Sequence, residues 1–117
     1  MKRGEVVLLA FPFSNGVGRK IRPALVVQGD RNNRRLKNTI VAMITTTTIR
    51  AGSEPTQLKI VLTSVAGKSS GLLFDSAVKC ENLFTIEQDA IHRVIGHLPK
   101  TAMGQVDRCL RSALGLA

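Results

Sequence analysis

The chain has 117 residues, 44% of them hydrophobic, so it is long enough to bury its own core and too apolar to be a disordered chain. Its net charge of +9, from 17 Lys and Arg against eight Asp and Glu, indicates an anionic partner such as nucleic acid, an acidic protein or a membrane surface. No apolar run approaches the ~20 residues of a membrane span. The apolar stretch near the start is interrupted by Pro12 and lacks a cleavage site, so we expect no signal peptide and a cytoplasmic, single-domain protein over residues 1–117.

Four short segments in the first half of the chain predict β-strands, because they are apolar and rich in β-branched residues. These segments are 5–11 (EVVLLAF), 21–28 (IRPALVVQ), 38–45 (NTIVAMIT) and 56–63 (TQLKIVLT). Stretches that contain Pro, Gly or Asn predict loops between them, at 12–20, 29–37 and 46–55. Pro23 cannot donate to a β-ladder, so we expect it at a sheet edge or among the first residues of its strand.

The second half of the chain predicts further short strands and then a helix. Its expected elements are a loop or one helical turn at 64–71, one bent or two short strands at 76–86, and a short strand at 93–98. From Ala102 to Leu114 the apolar residues recur at three- and four-residue steps, which is typical of an amphipathic helix beginning near Pro99 and ending near Gly115. The pattern predicts a mainly β fold, a small antiparallel barrel with a C-terminal α-helix over its open end.

Basic residues are concentrated between positions 19 and 37, where Asp30 is the one acid. The basic residues of this segment are Arg19, Lys20, Arg22, Arg31, Arg34, Arg35 and Lys37. For residues 31–37 a phosphate-binding surface and a solvated loop both remain open. Arg22 is unusual, because it places a permanent charge where an apolar strand begins.

The two cysteines, Cys80 and Cys109, lie far apart in the sequence and match no metal-ligand spacing. We expect both to be reduced, buried thiols that pack as small hydrophobic side chains. The sequence therefore predicts no metal site and no cofactor.

Four short motifs stand in a characteristic order along the chain. They are Arg3-Gly4-Glu5-Val6, Arg22-Pro23-Ala24-Leu25-Val26-Val27, Ile44-Thr45, and Asp75-Ser76 followed by Glu81. In this order and spacing they resemble the MazF/PemK family of bacterial toxin endoribonucleases, and the resemblance covers nearly the whole chain. It implies an SH3-like barrel related to CcdB, working as a homodimer in a type II toxin–antitoxin system. It also implies metal-independent, sequence-specific cleavage of single-stranded RNA (mRNA) to 2′,3′-cyclic phosphate and 5′-hydroxyl ends, which inhibits translation and growth. The implied regulator is a MazE-like antitoxin whose acidic segment lies across the RNA groove.

The resemblance places the family's catalytic arginine at Arg22 and its catalytic threonine at Thr45. Attack by the 2′-hydroxyl adds negative charge to a pentacoordinate phosphate, which a permanently protonated guanidinium stabilises with a fixed fork of donors. A donor aimed at developing charge contributes about 2.7–4 kcal/mol at comparable sites. Thr45 can donate one hydrogen bond and accept others, which suits orienting the 2′-hydroxyl or a non-bridging oxygen. From the residues alone, an arginine paired with an acid and an ordinary loop threonine are the simpler interpretations.

The loop over residues 12–20 is expected to form a wall of the RNA groove. Its RNA-binding candidates are Phe13, Ser14, Asn15, Arg19 and Lys20. The two cations would contact phosphates, whereas Phe13 would either stack on a base or hold the loop against the barrel. Family members often carry an acid in this loop, commonly as Gly-Ser-Glu, and FSNGVGRK has none. That departure argues against a carboxylate acid–base role here.

Glu81 and Asn82 match family positions near the RNA groove. Asn82 can read a base edge through paired hydrogen bonds, and an ordinary surface turn is the alternative interpretation. Asp75 and Ser76 also follow the family pattern. We expect these two to be structural residues that brace the loop near Thr45.

Three other hypotheses remain for the chain. A CcdB-type toxin acting on DNA gyrase shares the fold but depends on a C-terminal Trp-Gly-Ile, whereas this chain has no Trp and ends Gly115-Leu116-Ala117. A small-barrel RNA-binding module without activity is disfavoured by the presence of Arg22 and Thr45. A ribonuclease using His92 and His97 is disfavoured because residues five apart on a strand point to opposite faces.

Overall fold

The computed structural model describes residues 1–12 and 19–117 of the chain. In chain order the described elements are β1 (Glu5–Pro12), β2 (Arg19–Val26), α1 (Asp30–Arg35), β3 (Asn38–Thr45), β4 (Gln57–Ile60), α2 (Val65–Ser70), β5 (Ser76–Glu87), a single 3-10 turn (Gln88–Ala90), β6 (Ile91–His97) and α3 (Lys100–Leu114). No helix among these residues is long and apolar enough to cross a membrane.

Most predicted elements are confirmed. β1, β3 and α3 follow the predicted segments closely, and α3 lies between Pro99 and a left-handed Gly115, as expected. The segment 76–86 forms one long strand, and 64–71 contains the short helix α2. β2 and β6 begin two residues earlier than predicted, at Arg19 and Ile91, and β4 is shorter. The predicted loop at 29–37 was wrong, because this segment contains α1.

The strands pair in the order β4-β5-β3-β2-β1-β6, and every pairing is antiparallel. This confirms the predicted mainly β, antiparallel fold with a C-terminal helix. Within the described part of the chain, β4 and β6 remain the edges of the sheet, so backbone pairing does not close the barrel. α3 packs against β4 and β5, and α2 packs against β6, so each edge is flanked by a helix.

Both faces of the central strands are buried. One apolar cluster lies between the sheet and α3 and includes Val6, Leu25 and Val106. A second cluster contains Val7 and Val26. β1 and β2 contribute neighbouring residues to both clusters, which explains why their sequences are continuous apolar runs instead of alternating patterns.

An arginine near the start of the chain joins several of these elements. The Arg3 Nε donates to the carbonyl of Val27 at 2.8 Å, and its Nη2 forms an ion pair with Asp107 on α3 at 2.6 Å. The neighbouring Gly4 donates its N–H to Val26 at 2.9 Å and accepts from Leu98 at 2.8 Å. The Arg3-Gly4 motif therefore joins the end of β2 to the middle of α3, through Asp107, and to the residues just before α3, through Leu98.

Two glycines let α2 and β6 pack backbone to backbone. Gly71 ends α2 in the left-handed region, with a φ of 75°, and a Cβ there would lie 2.1 Å from the carbonyl oxygen of Ile95. A Cβ on Gly96 would lie 2.4 Å from the Ser69 carbonyl oxygen. Since neither neighbour is a flexible side chain, any larger residue requires the helix and strand to move apart.

We expect Gly96→Ala to lower the free energy of unfolding by about 1–3 kcal/mol, because the added methyl overlaps the backbone of α2. Gly104→Ala is the matched control, since Gly104 is exposed within α3 and a methyl group added there meets nothing within 4 Å. That control should raise stability by about 0.5–1 kcal/mol through helix propensity. Urea denaturation of both variants measures the two effects, and equal stabilities would contradict the packing described here.

Cys80 and Cys109 are free thiols, and both are buried in the cluster beneath α3, as predicted. Burial raises the pKa of Cys80 from its ordinary value of 9.0 to about 12, with Cys109 and Glu81 adding to the shift. Burial also raises the pKa of Cys109. Because the folded-state pKa of Cys80 exceeds the unfolded value, this thiol's contribution to stability is full below pH 9.0 and declines as pH rises toward about 12.

We therefore expect alkylation of the native protein by iodoacetamide at pH 8 to be at least about a hundredfold slower than that of the urea-unfolded chain, since the thiolate is the reactive form. Mass spectrometry over time measures both rates. Rapid alkylation of Cys80 in the native state would show that the cluster beneath α3 is open to solvent.

Candidate active site

β2 and β3 stop pairing with each other part-way along their length. We call the region beyond their last paired residues the fork. The ladder runs from Val26 and Val41 to Ala24 and Met43 and stops there, although β2 continues its pairing with β1. Pro23 explains the stop, because it has no N–H to donate. Of the two placements expected for Pro23, the first residues of the strand was wrong, since β2 begins at Arg19. Pro23 lies where β2 is paired with β1 alone and is locally an edge, which is the other placement.

Arg22 and Thr45 lie on opposite arms of this fork. Each lies two residues beyond the last pair, Ala24 and Met43. Arg22 pairs instead with Leu9 on β1, and Thr45 pairs with Ala77 on β5. The Arg22 side chain is exposed, and its backbone is held by pairing with Leu9 on β1. A strand that is paired on one side only can present a charged side chain to solvent next to a buried core.

The Thr45 hydroxyl has a fixed position. Its Oγ1 accepts a hydrogen bond from the backbone N–H of Thr47 at 3.1 Å. The hydroxyl hydrogen therefore remains available to donate to a ligand oxygen. Thr45 lines a cavity of about 340 Å³, which we call the threonine cavity, together with Arg50, Lys79 and Glu81. Two cations and one carboxylate thus stand close to this hydroxyl.

Arg22 lines a second cavity of about 470 Å³, which we call the arginine cavity. Its other lining residues include Thr46, Phe74 and Arg93. Phe74 is 65% exposed and Ile21, which also lines it, is 49% exposed. The arginine cavity therefore combines two guanidinium groups with apolar surface, which suits a ligand with both phosphate and ring components.

Glu81 and Asn82 lie on an irregularity of β5. Met43 pairs with Lys79 and Ala42 pairs with Leu83, so residues 80–82 have no partner on β3. The Glu81 carboxylate accepts from the Gln57 amide at 2.7 Å and lines the threonine cavity. The Asn82 amide instead lies 3.8 Å from the Met43 sulfur. The bulge thus brings Glu81, but not Asn82, to the cavity that Thr45 lines.

The other RNA-binding candidates are Arg19 and Lys20 on β2 and three residues of the loop before it. Lys20 is exposed on β2 and pairs with Phe11, and the backbone of Arg19 pairs with Pro12. Phe13, Ser14 and Asn15 lie outside the described residues.

His92 and His97 are both exposed on β6, and neither lines the threonine or the arginine cavity. The prediction that His92 and His97 point to opposite faces assumed regular two-residue alternation along the strand. Two register shifts between β1 and β6 interrupt that alternation.

Comparison with known proteins identifies the family. A sequence model described as PemK-like, MazF-like toxin of type II toxin-antitoxin system matches residues 2–114. The chain is 32% identical over 117 residues to Endoribonuclease EndoA of Bacillus subtilis (strain 168), covering 99% of this chain and 96% of that protein. The chain belongs to the PemK-like, MazF-like toxin family.

Solved structures have the same fold. An endoribonuclease in complex with its cognate antitoxin from Mycobacterial species superposes with a TM-score of 0.78 at 22% identity, covering 100% of this chain and 97% of that one. The Mycobacterium tuberculosis toxin MazF-mt6 superposes with a TM-score of 0.76 at 24% identity, covering 97% and 98%. At these identities the likeness concerns the fold, so the PemK-like, MazF-like architecture extends over the whole sheet and α3.

Three cations near the site were not among the predicted residues of this PemK-like, MazF-like chain. Arg50 and Lys79 line the threonine cavity, and Arg93 lines the arginine cavity. Lys79 is two residues before Glu81 on a strand, so strand alternation was a signal that pointed to it. Arg50 follows β3 in an irregular segment and Arg93 comes from β6, and their approach depends on tertiary packing.

Asp75 and Ser76 make backbone contacts at the start of β5, which fits a structural role, but their bonds go to Leu62 and Phe74 and not to the loop near Thr45. Asp75 Oδ1 accepts from the Leu62 N–H at 2.8 Å, and the Ser76 hydroxyl donates to the Phe74 carbonyl at 2.8 Å. Asp75 also lines a shallow cavity with Thr46 and Phe74. Asp75 thus holds the start of β5 against the segment that follows β4, and Ser76 fixes the turn that leads into β5.

We expect Asp75→Ala to lower the free energy of unfolding by about 1 kcal/mol, because the Leu62 N–H loses its acceptor. Asp75→Asn is the matched variant, since its side-chain oxygen can still accept that bond, and it should retain most of the lost stability. Thermal and urea denaturation compare the two. A loss that is equal in both variants would mean that the charge of Asp75, and not its hydrogen bond, matters.

Proposed function

We propose that this chain is a metal-independent endoribonuclease that cleaves single-stranded RNA as the toxin of a type II toxin–antitoxin system. The observation that supports this most strongly is the family match over residues 2–114, in a chain whose Arg22 and Thr45 lie on β2 and β3 just beyond the end of their shared ladder. The relative EndoA, which the chain matches along nearly its whole length, carries the name endoribonuclease.

The proposed reaction begins with the RNA 2′-hydroxyl, which attacks the adjacent phosphorus. The 2′-hydroxyl gives up its proton to water and the 2′-oxygen–phosphorus bond forms. The bond to the 5′-oxygen breaks, and the 5′-oxygen takes up a proton from water, so no net proton is gained or lost. The products are a 2′,3′-cyclic phosphate and a 5′-hydroxyl. Arg22 stabilises the additional charge on the phosphate, and as a permanently protonated group it does not serve as the base. The Thr45 hydroxyl donates to a phosphate oxygen or orients the 2′-hydroxyl, since Thr47 fixes its Oγ1.

Further residues would bind the strand on either side of this phosphate. Arg50 and Lys79 in the threonine cavity and Arg93 in the arginine cavity are suited to neighbouring phosphates. We retain the proposed RNA-binding residues Phe13, Ser14, Asn15, Arg19, Lys20, Glu81 and Asn82. Of these, Glu81 has the support of lining the threonine cavity.

The proposed partners are an acidic, MazE-like antitoxin and a second copy of the chain. The net charge of +9 favours an acidic antitoxin segment over the same groove. A homodimer is supported by the exposed apolar side chains next to Arg22, among them Ile21, Leu73 and Phe74, at 49%, 80% and 65% exposure. We further propose a cytoplasmic location and one toxin domain over residues 1–117, of which the family match covers 2–114.

We expect the purified protein to cut a long single-stranded RNA into discrete fragments in EDTA. Arg22→Ala should reduce the cleavage rate about a hundredfold or more, the usual effect of losing a donor to developing charge. Thr45→Ala should also lose activity. Gel analysis of fragments over time, with circular dichroism to verify folding, provides the measurement. Arg111→Ala and Thr101→Ala, exposed positions on α3, are the matched controls and should cut like the wild type.

Undiminished cutting by both site variants would place the activity elsewhere. Activity that EDTA abolishes and Mg²⁺ restores would contradict the metal-independent mechanism. No cleavage of a sequence-diverse RNA, together with retained RNA binding, would favour a binding module, and a positive gyrase assay would favour a CcdB-type toxin.

A further inference from the structure

Helix α1 presents a row of arginines to solvent. Arg31, Arg34 and Arg35 occupy positions i, i+3 and i+4, which share one face of an α-helix, and all three are exposed. Asn33 faces the opposite side, where it is 6% exposed. We call Arg31, Arg34 and Arg35 the arginine face.

A buried hydrogen-bond network holds α1 on the sheet. The Asn33 Oδ1 accepts from the Gln28 amide at 2.9 Å and from the Thr39 hydroxyl at 2.7 Å. The Asn33 amide donates to the Gln28 carbonyl at 3.0 Å. From the turn before β6, the Gln88 amide donates to the carbonyls of Asn33 and Leu36 at 2.8 and 2.9 Å. The short helix is therefore anchored by its buried side, and its outer face is presented in a fixed orientation.

The charges of the arginine face are not neutralised locally. Among the described residues, no carboxylate forms an ion pair with Arg31, Arg34 or Arg35, and Arg35 instead donates to the Asn32 side-chain oxygen at 2.9 Å. Asp30, the acid of α1, accepts from the Arg3 backbone N–H at 2.6 Å. Arg31 and Arg35 are like charges at i and i+4, a spacing that does not favour an isolated helix. Arg34 and Arg35 lie in the last turn of α1, where the helix dipole favours cations, whereas Arg31 lies in the first turn, where it does not. The dipole therefore accounts for two of the three arginines, and the charge of the whole face is left for an anionic ligand.

The arginine face is also remote from the proposed cleavage site. α1 connects the end of β2 to the start of β3, whereas Arg22 and Thr45 lie beyond the other end of the same ladder. Four residues of extended strand, from Arg22 to Val26, span about 13 Å. A ligand that contacts both places must therefore be an extended polyanion.

We propose that the arginine face binds backbone phosphates of the RNA substrate outside the cleavage site, an inference that rests on the proposed function. Guanidinium groups match phosphate oxygens with two parallel donors, and all three charges of the face are arginines. A protein partner would require an apolar centre to its interface. The three side chains of this face are all charged, and the exposed apolar side chain beside them is Leu36.

The test compares Arg31→Gln/Arg34→Gln/Arg35→Gln with a control that removes the same number of charges from α3, Lys100→Gln/Arg108→Gln/Arg111→Gln. The probes are a short and a long single strand of mixed-sequence 2′-O-methyl RNA, which lacks the attacking hydroxyl and is not cleaved. We expect the arginine-face variant to bind the long strand about tenfold more weakly than the control. Its log–log salt slope should be shallower by about 0.7 for each phosphate that the variant no longer neutralises. Binding of the short strand should change little.

A wild type that fails to cleave RNA, combined with this difference in binding, would overturn the proposed activity and leave the arginine face supported. Equal affinities and equal salt slopes for the two triple variants would overturn the arginine face, whatever the cleavage result. Polyglutamate serves as a third probe, which stands for an acidic protein. If the arginine-face variant loses more affinity for polyglutamate than for the long RNA, the proposal is overturned in favour of an acidic protein partner. Arg31→Gln/Arg34→Gln, which keeps the Arg35–Asn32 bond, repeats the comparison if the triple variant unfolds.

Discussion

The antiparallel pairing of β2 with β3 is the constraint on which the rest of the molecule depends. Its paired residues, Ala24 to Val26 against Val41 to Met43, are almost all fully buried, so a shift of the register by one residue would turn apolar side chains out of both core clusters. The same register determines what lies at each end of the ladder. Arg22 and Thr45 lie just beyond one end, and at the other end the connection between the strands forms α1.

The charged start of the apolar segment IRPALVV is a consequence of this arrangement. Arg22 is anchored on one side only, through pairing with Leu9, and Pro23 prevents the ladder to β3 from extending past Ala24. The guanidinium therefore leaves the sheet where the core ends, instead of being buried within it. A proline placed inside the same segment, at Leu25, would break the pairing on which the core depends.

The strands were predictable because short apolar, β-branched segments indicate strands without reference to distant residues. α3 was predictable because its apolar residues recur with the period of a helix. α1 was not predictable in this way. Its stability depends on Asn33 bonding to Gln28, Thr39 and Gln88, and the last of these is 55 residues away. The bulge at residues 80–82 could not be predicted either, because it is defined by how β5 pairs with β3 and not by the sequence of β5 alone. Arg22 and Thr45 were predicted from the family pattern, whereas Arg50 and Arg93 reach the site through tertiary packing alone.

Several acids of this chain bind backbone N–H groups or a neighbouring amide, which leaves much of the positive charge without a carboxylate beside it. Asp30, Asp75 and Glu5 accept hydrogen bonds from backbone N–H groups, at 2.6, 2.8 and 2.5 Å. Glu81 accepts from the Gln57 amide, and Asp107 pairs with Arg3 beneath the start of the chain. In the described part of the chain, these structural acceptors form no ion pair with Arg22 or with the arginines of α1. The resulting field attracts polyanions over distances longer than any single contact and raises their rate of association. Asp30 and Asp75 are thus used to hold the backbone, and Arg22 and the arginines of α1 are left facing solvent.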